Sequence, residues 1–412
     1  MSLLPPSLTK ITGSVSGPRK TFTREFVLDF LLKTRRLDIQ LTPDQKRALE
    51  EYARTHSKRF AIVLNSFARL VGQGAKIFSV GSMPNHLELL FVYFFGAEIE
   101  GSTFSPVDQR DSFTAAYEFP DGKRAEMVVY LRNFTRDKLP VASSSRDAVF
   151  CFEALEHFVE SPIPLLHEIR RILKPGGYLL ISTPNQQHWY RIFHAIHGLT
   201  YPDLDYTEPC ESRHTHIFSL GELEKMLART GFHVSQYFSE DPWENARHGI
   251  QFDMKDKMNY SLKNLLVKEE YRAEDIFIAA VPLDGYCVYG SGWHEVERDG
   301  TGWWRWSGGN GCFEVFSDSE AEISLEAEIY SIQPPDKIKI MVNGVERFVI
   351  RVDWELFKPF GPVTLPLAAG NNVIEFVSEH KAITLPKDTR LLAFALKNLR
   401  VVLNGVDCRL NT

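Results

Sequence analysis

From Lys76 to Val281 the chain alternates between short apolar runs and segments whose apolar residues recur every three to four positions, and after Pro282 that alternation stops. The short runs Lys76–Val80, Glu98–Glu100, Glu126–Leu131, Ala148–Phe152, Tyr178–Ser182, Val234–Phe238 and Asp275–Val281 read as strands. Between them stand helical segments. One is Glu88–Phe95, and a second is Ser161–Leu173, whose residues 165, 166, 169, 172 and 173 share a face and which Pro175-Gly176-Gly177 stops. A third starts at Ser219, with Ser219 and Glu222 spaced as a capping box and Gly231 as its stop. Strands and helices in turn predict an α/β fold, a doubly wound, mostly parallel Rossmann-like sheet.

Beyond Pro282 the period drops to two. Ala321, Ile323, Leu325, Ala327 and Ile329 are apolar while Glu320, Glu322, Ser324, Glu326 and Glu328 lie between them, so one face is buried and the other wet. Asn343-Gly344 between Lys337–Val342 and Val345–Ile350 is a hairpin signal, and strands follow at Asn372–Val377 and Leu391–Leu403. This half is expected to be an all-β sandwich or jelly roll. At the other end Thr42-Pro43-Asp44 starts a helix that runs through Tyr52, and a second amphipathic segment covers Phe60–Val71. The expected organisation is a helical leader at 1–59, an α/β domain at 60–283 and a β domain at 284–412.

Bulk properties exclude some functions. The balance of 47 basic against 53 acidic residues gives a net charge of -6, which does not suit a nucleic-acid partner. No segment reads as a secretory signal, and the longest apolar run, Leu87–Ala97, is interrupted by Glu88 and too short to span a bilayer. A cytoplasmic protein with no integral membrane segment is expected. Its five cysteines show no paired spacing, and no metal site is expected from them.

The stretch from Asp147 to Asn185, DAVFCFEALEHFVESPIPLLHEIRRILKPGGYLLISTPN, resembles the central signature of class I S-adenosylmethionine-dependent methyltransferases of the type 11 group. The resemblance implies S-adenosylmethionine as cofactor. Ligands of open α/β sheets bind outside the carboxyl ends of the strands, where Glu153, Thr183 and Asn185 are expected. Glu153, Glu156 and His157 are spaced to share a helical face, and a histidine beside a carboxylate suits a general base for a hydroxyl. The expected catalytic residues are therefore His157, His216 and Glu156, with capping and orientation of the helix as the structural use of Glu156 and His157.

At the cofactor end the sequence departs from the family pattern of an acidic strand residue followed by a glycine-rich loop. Ser79 stands at the acidic position, Gly81 remains, and Met83 and Asn85 replace later glycines. Thr103 stands where the family has the ribose-binding carboxylate, and Asn133 or Asp137 stands near the adenine position. Ser79, Gly81, Met83, Asn85, Thr103, Asn133 and Glu153 are the expected cofactor-binding set. His214 and His216 form a His-x-His pair that would need a third ligand such as Glu208 or Glu211 to hold a metal.

In the β half, Gly292-Trp293-His294-Glu295 and Trp303-Trp304-Arg305-Trp306 resemble a β-sandwich module that accompanies transferases of bacterial surface-polysaccharide assembly. Tryptophan faces suit the apolar faces of sugars, and at this spacing they also suit a core. Taken together, the expected function is O-methylation of a sugar hydroxyl in a surface glycan or related metabolite. The alternatives are a non-catalytic methyltransferase-like scaffold or glycan-binding protein, and the same fold binding another nucleotide. The expected partner is a small-molecule or glycan substrate, with homo-oligomerisation left open.

Overall fold

The computed structural model describes residues 21–103, 110–131, 137–188, 191–192, 195, 198, 214–242, 273–353, 356–386 and 388–410. Thr23 caps helix α1 (Arg24–Lys33), and the two-residue strand β1 (Arg35–Arg36) follows. Helix α2 (Pro43–Val71) opens with a reciprocal box in which Thr42 and Gln45 accept from each other's backbone N–H. No glycine or proline interrupts it before Gly72, and Ala53, Ser57, Phe60, Leu64, Phe67 and Val71 form one unbroken buried stripe. The two helical segments expected here are therefore one helix. The expected boundary between leader and domain at 59/60 falls inside it.

Next come β2 (Lys76–Val80), α3 (His86–Phe95), β3 (Glu98–Thr103), β4 (Ser112–Glu118), β5 (Arg124–Leu131), β6 (Arg146–Phe152), α4 (Ile163–Ile172), β7 (Leu173–Pro184), α5 (Leu220–Arg229), β8 (Phe232–Glu240) and β9 (Asp275–Pro282). The described strands form one nine-stranded sheet in the order β1-β4-β5-β3-β2-β6-β7-β9-β8. Strands β5, β3, β2, β6 and β7 pair in parallel, whereas β4 and β9 run against their neighbours. Strand β4, which lies outside the expected set, alternates buried Ala115 and Tyr117 with exposed residues, a weak signal because it carries few β-branched side chains.

The sheet is covered on both faces. Helices α1, α2 and α3 pack Val27, Phe60, Phe67 and Phe91 against Ile77 and Phe150 on one side. On the other, Leu165 and Ile169 of α4 and Leu223 and Leu227 of α5 pack against Val149, Leu179 and Ile278. This double cover is why β6 reads as an unbroken apolar run. The Ser219 hydroxyl accepts from Glu222 N–H as expected of a cap, but the Glu222 carboxylate binds His216 instead of completing the box.

From Tyr286 onward every regular element among the described residues is a strand. Two sheets share one core of Phe313, Ile323, Leu325, Ile340, Ile374, Phe376 and Phe394. The run Ala321–Ser331 buries every second residue as the pattern predicts, and Asn343 and Gly344 both take positive φ, as a type I′ hairpin requires. The β half is joined to the α/β half through Arg170. This residue lies fully buried on α4, donates to the Tyr286 carbonyl at 3.2 Å and pairs with Glu314 at 3.6 Å.

Candidate functional site

The chain leaves β2 toward β3 and β5 on one side and returns to β6 and β7 on the other. The direction of strand addition thus reverses between β2 and β6, and it is beyond the carboxyl ends of such strands that open α/β sheets bind ligands. Two loops follow these strands there. The first, Gly81–Asn85, is pinned by a 2.8 Å bond from Ser82 N–H to the Ser102 carbonyl. Gly81 is exposed with φ +70°, and a Cβ there would meet Ala154 Cβ at 3.1 Å, so the loop follows β2 as bare backbone. Met83 is half-exposed. Asn85 is buried, donates to the Tyr117 hydroxyl at 2.9 Å, and leaves its Oδ1 without a hydrogen-bond partner.

Ser79 itself holds no charge, but its hydroxyl donates to Glu88 Oε1 at 2.6 Å within the core. A carboxyl group thus stands at the acidic position of the strand, supplied by the next helix. Burial pushes the Glu88 carboxyl up to about 7, against the pull of the Ser79 hydroxyl. The sequence signal was present: Glu88 is the one charge inside an otherwise apolar helix. Thr103 ends β3, half-exposed. Asn133 lies outside the described residues.

The second loop follows β6. Glu153 takes φ +49°, so it does not continue into the 3-10 turn Leu155–His157, and the three expected site residues do not share a helical face as their spacing suggested. Instead they diverge. Glu153 accepts from the Ser182 hydroxyl at 2.7 Å and pairs with Arg59 of α2 at 3.1 Å. Glu156, fully buried, accepts from Thr183 Oγ1 at 3.0 Å through Oε2, while its Oε1 has no hydrogen-bond partner. Burial pushes Glu156 well above the carboxylate range, and the charge of Glu153 adds to this. Asp275, at the start of β9, is also fully buried, with neither carboxylate oxygen hydrogen-bonded. Its carboxyl is raised by burial and then by Glu153.

The segment at 214–218 is stitched to this loop. Thr215 donates its N–H to the Glu156 carbonyl at 2.7 Å and its hydroxyl to the Phe158 carbonyl at 2.6 Å. As a result the His157 and His214 rings stand 4.9 Å apart. His157 Nε2 lies 4.0 Å from Glu156 Oε1. His216 does not join them: it is half-exposed, lies against Phe218 and bonds Glu222 at 2.8 Å. The structure therefore gathers Glu156, His157 and His214, sends His216 away, and adds Arg59, Glu88 and Asp275, three residues outside the expected set. Glu208 and Glu211 lie outside the described residues.

Residues 60–237 match the model of a methyltransferase domain family. Over 107 residues, 26% of this chain, it is 35% identical to a ubiquinone biosynthesis O-methyltransferase of Alkalilimnicola ehrlichii and 31% identical to a probable S-adenosylmethionine-dependent methyltransferase of Mycolicibacterium smegmatis. The chain spans 40% and 36% of the lengths of these relatives. Among solved structures, an S-adenosylmethionine-dependent methyltransferase from Archaeoglobus fulgidus aligns at 15% identity over 56% of this chain and 96% of that one, with a TM-score of 0.38. Over residues 60–237 the chain is thus similar in sequence to a methyltransferase domain, and the cofactor of that domain is S-adenosylmethionine.

Proposed function

We propose that this chain is an S-adenosylmethionine-dependent methyltransferase that acts on a hydroxyl group, that of a sugar in a surface glycan or related metabolite. The observation that carries the reading is the β2/β6 reversal, where the bare backbone of Gly81 and a carboxyl–imidazole pair, Glu156 with His157, lie on the two loops that follow these strands. The residues present fit the cofactor. Exposed Gly81 gives the methionine end a surface without a side chain, and the orphaned Asn85 Oδ1 is a buried acceptor suited to an ammonium donor. Glu88, acting through Ser79, restores the carboxyl group that the strand lacks.

When bound, the cofactor supplies a methyl group on a sulfonium, which is its own leaving group. What remains for the chain is alignment and proton handling. Thr103 would hold the ribose through its hydroxyl, and Met83 lies within the loop that would face the methionine end. Glu153 is held between Arg59 and Ser182 and keeps the β6 loop in place. His157 takes the acceptor proton, with Glu156 positioned beside it by Thr183.

Calorimetric titration of S-adenosylhomocysteine tests the reading. Micromolar binding is expected in the wild type, and Gly81→Asp should weaken it by at least about tenfold, because that backbone disfavours a side chain and Ala154 blocks one. Absence of binding at millimolar ligand would sink the enzyme and favour the scaffold alternative. That alternative draws on the altered loop Ser79–Asn85 together with Thr103, and the Glu88 carboxyl at Ser79 weighs against part of it.

The sugar acceptor is supported by the β half. Trp293 and Trp303 pack against its core, but Trp304, Trp306, Tyr330 and Phe357 lie outside that cluster and meet one another at 5.7–6.5 Å. Half-exposed rings with Lys397 beside Phe357 make a platform on which the apolar face of a sugar can stack. Trp304→Ala should abolish retardation on acidic or neutral polysaccharide in affinity electrophoresis without lowering the melting temperature; unchanged retardation, or none in the wild type, removes this support.

A further inference from the structure

We propose that Glu156, His157 and His214 form a binding site for a divalent first-row transition-metal ion. Each offers one donor atom, and all three atoms lie within 4.8 Å of one another. Ligand bonds of about 2.1 Å place donor atoms about 3.0–3.4 Å apart, so small side-chain rotations close the set on an ion. Two imidazoles and one carboxylate suit Zn2+, Co2+, Mn2+ or Fe2+ better than Mg2+ or Ca2+, which favour oxygen.

A second observation points to a ligand independently of the cluster. Glu156 is fully buried, and while Thr183 holds Oε2 at 3.0 Å, Oε1 has no hydrogen-bond partner and faces the His157 ring at 4.0 Å. A buried carboxylate oxygen left without a donor is costly unless something else binds it. The hydrogen bond from Thr183 is the kind of outer support that orients a metal-binding carboxylate. The loop carrying His214 is also fixed, since Thr215 bonds the Glu156 and Phe158 carbonyls.

Glu153 is engaged by Arg59 and Ser182, so it supports the site from outside the ligand set.

The role of the ion deepens the acceptor-site reading above and rests on it, whereas its binding does not. Three protein ligands leave coordination positions open, and an acceptor hydroxyl bound there loses its proton more easily. With an ion bound, His157 is a ligand in place of the base role given above, and the acceptor proton leaves to solvent.

The test uses tag-free full-length protein, stripped with a chelator and titrated with Co2+, whose visible absorption reports nitrogen and oxygen coordination. One equivalent should bind the wild type. His214→Ala and Glu156→Gln should each lower affinity by at least about tenfold, and His216→Ala, whose ring sits on Glu222, should leave it unchanged. His214 is only half-buried, so its replacement keeps the test open if the Glu156 variant fails to fold. No binding by the wild type at millimolar Co2+, or equal loss from His216→Ala, overturns the proposal. Cobalt binding needs no methyl donor. A chain that binds cobalt but not S-adenosylhomocysteine keeps this inference and loses the enzyme; the reverse loses this inference alone.

Discussion

Arg59→Met is expected to destabilise the α/β half by about 3–5 kcal/mol, because it keeps the apolar stem in the α2 stripe but removes the charge that pairs with Glu153. Arg59 is 4% exposed, so water does not replace the guanidinium. The loss should depend on pH. Arg59 counteracts the raised affinity of Asp275 for protons, and without it that carboxyl rises further above its ordinary value of 3.8. A carboxyl that binds its proton more tightly in the folded chain costs nothing while both states are protonated, and its penalty grows as pH rises from the unfolded value toward the folded one. The variant's deficit in urea unfolding should therefore be larger at pH 8 than at pH 5. A variant as stable as the wild type at pH 8 would show that Arg59 does not hold this cluster together.

Glu88→Gln should act in the opposite direction. The Glu88 carboxyl is buried and raised from 4.5 to about 7, so at pH 8 the folded chain holds an ionised group that burial disfavours. Glutamine keeps an oxygen to accept from Ser79 and carries no charge. The sign follows: below about pH 4.5 both states of the wild type are protonated and the variant gains nothing, whereas above about pH 7 it gains up to about 3 kcal/mol. If Glu88 serves the cofactor through Ser79, the same variant should bind S-adenosylhomocysteine more weakly while melting at a higher temperature, the exchange of stability for function seen where a site holds a strained group. A stability difference that stays flat between pH 5 and pH 8 would contradict the burial argument.

Two histidines two positions apart illustrate the limit of local reasoning. In sequence His214 and His216 are equivalent, and the third ligand their spacing asks for is Glu208 or Glu211. The fold takes His214 to Glu156 and His157 through the bonds of Thr215, and leaves His216 to Glu222 at the start of α5. Nothing within a few residues of either histidine encodes that choice. Likewise Glu153 and Glu156, three positions apart, turn to different partners because Glu153 adopts φ +49°.

Periodicity by itself determined the α/β order and the change to strands after Pro282, because both follow from local spacing of apolar and turn residues, whereas the reversal between β2 and β6 comes from the strand order of the folded sheet. It also marked Glu88 as a charge in an apolar helix. Tertiary structure alone decided what such charges are for: Arg59 reaches Glu153, Glu88 reaches Ser79, and Asp275 is buried at the start of β9, each on an element distant in sequence from the others. A polar group inside a core must find its partner across the packing of helices on the sheet, and that packing is set by the register of the whole domain rather than by the residues on either side.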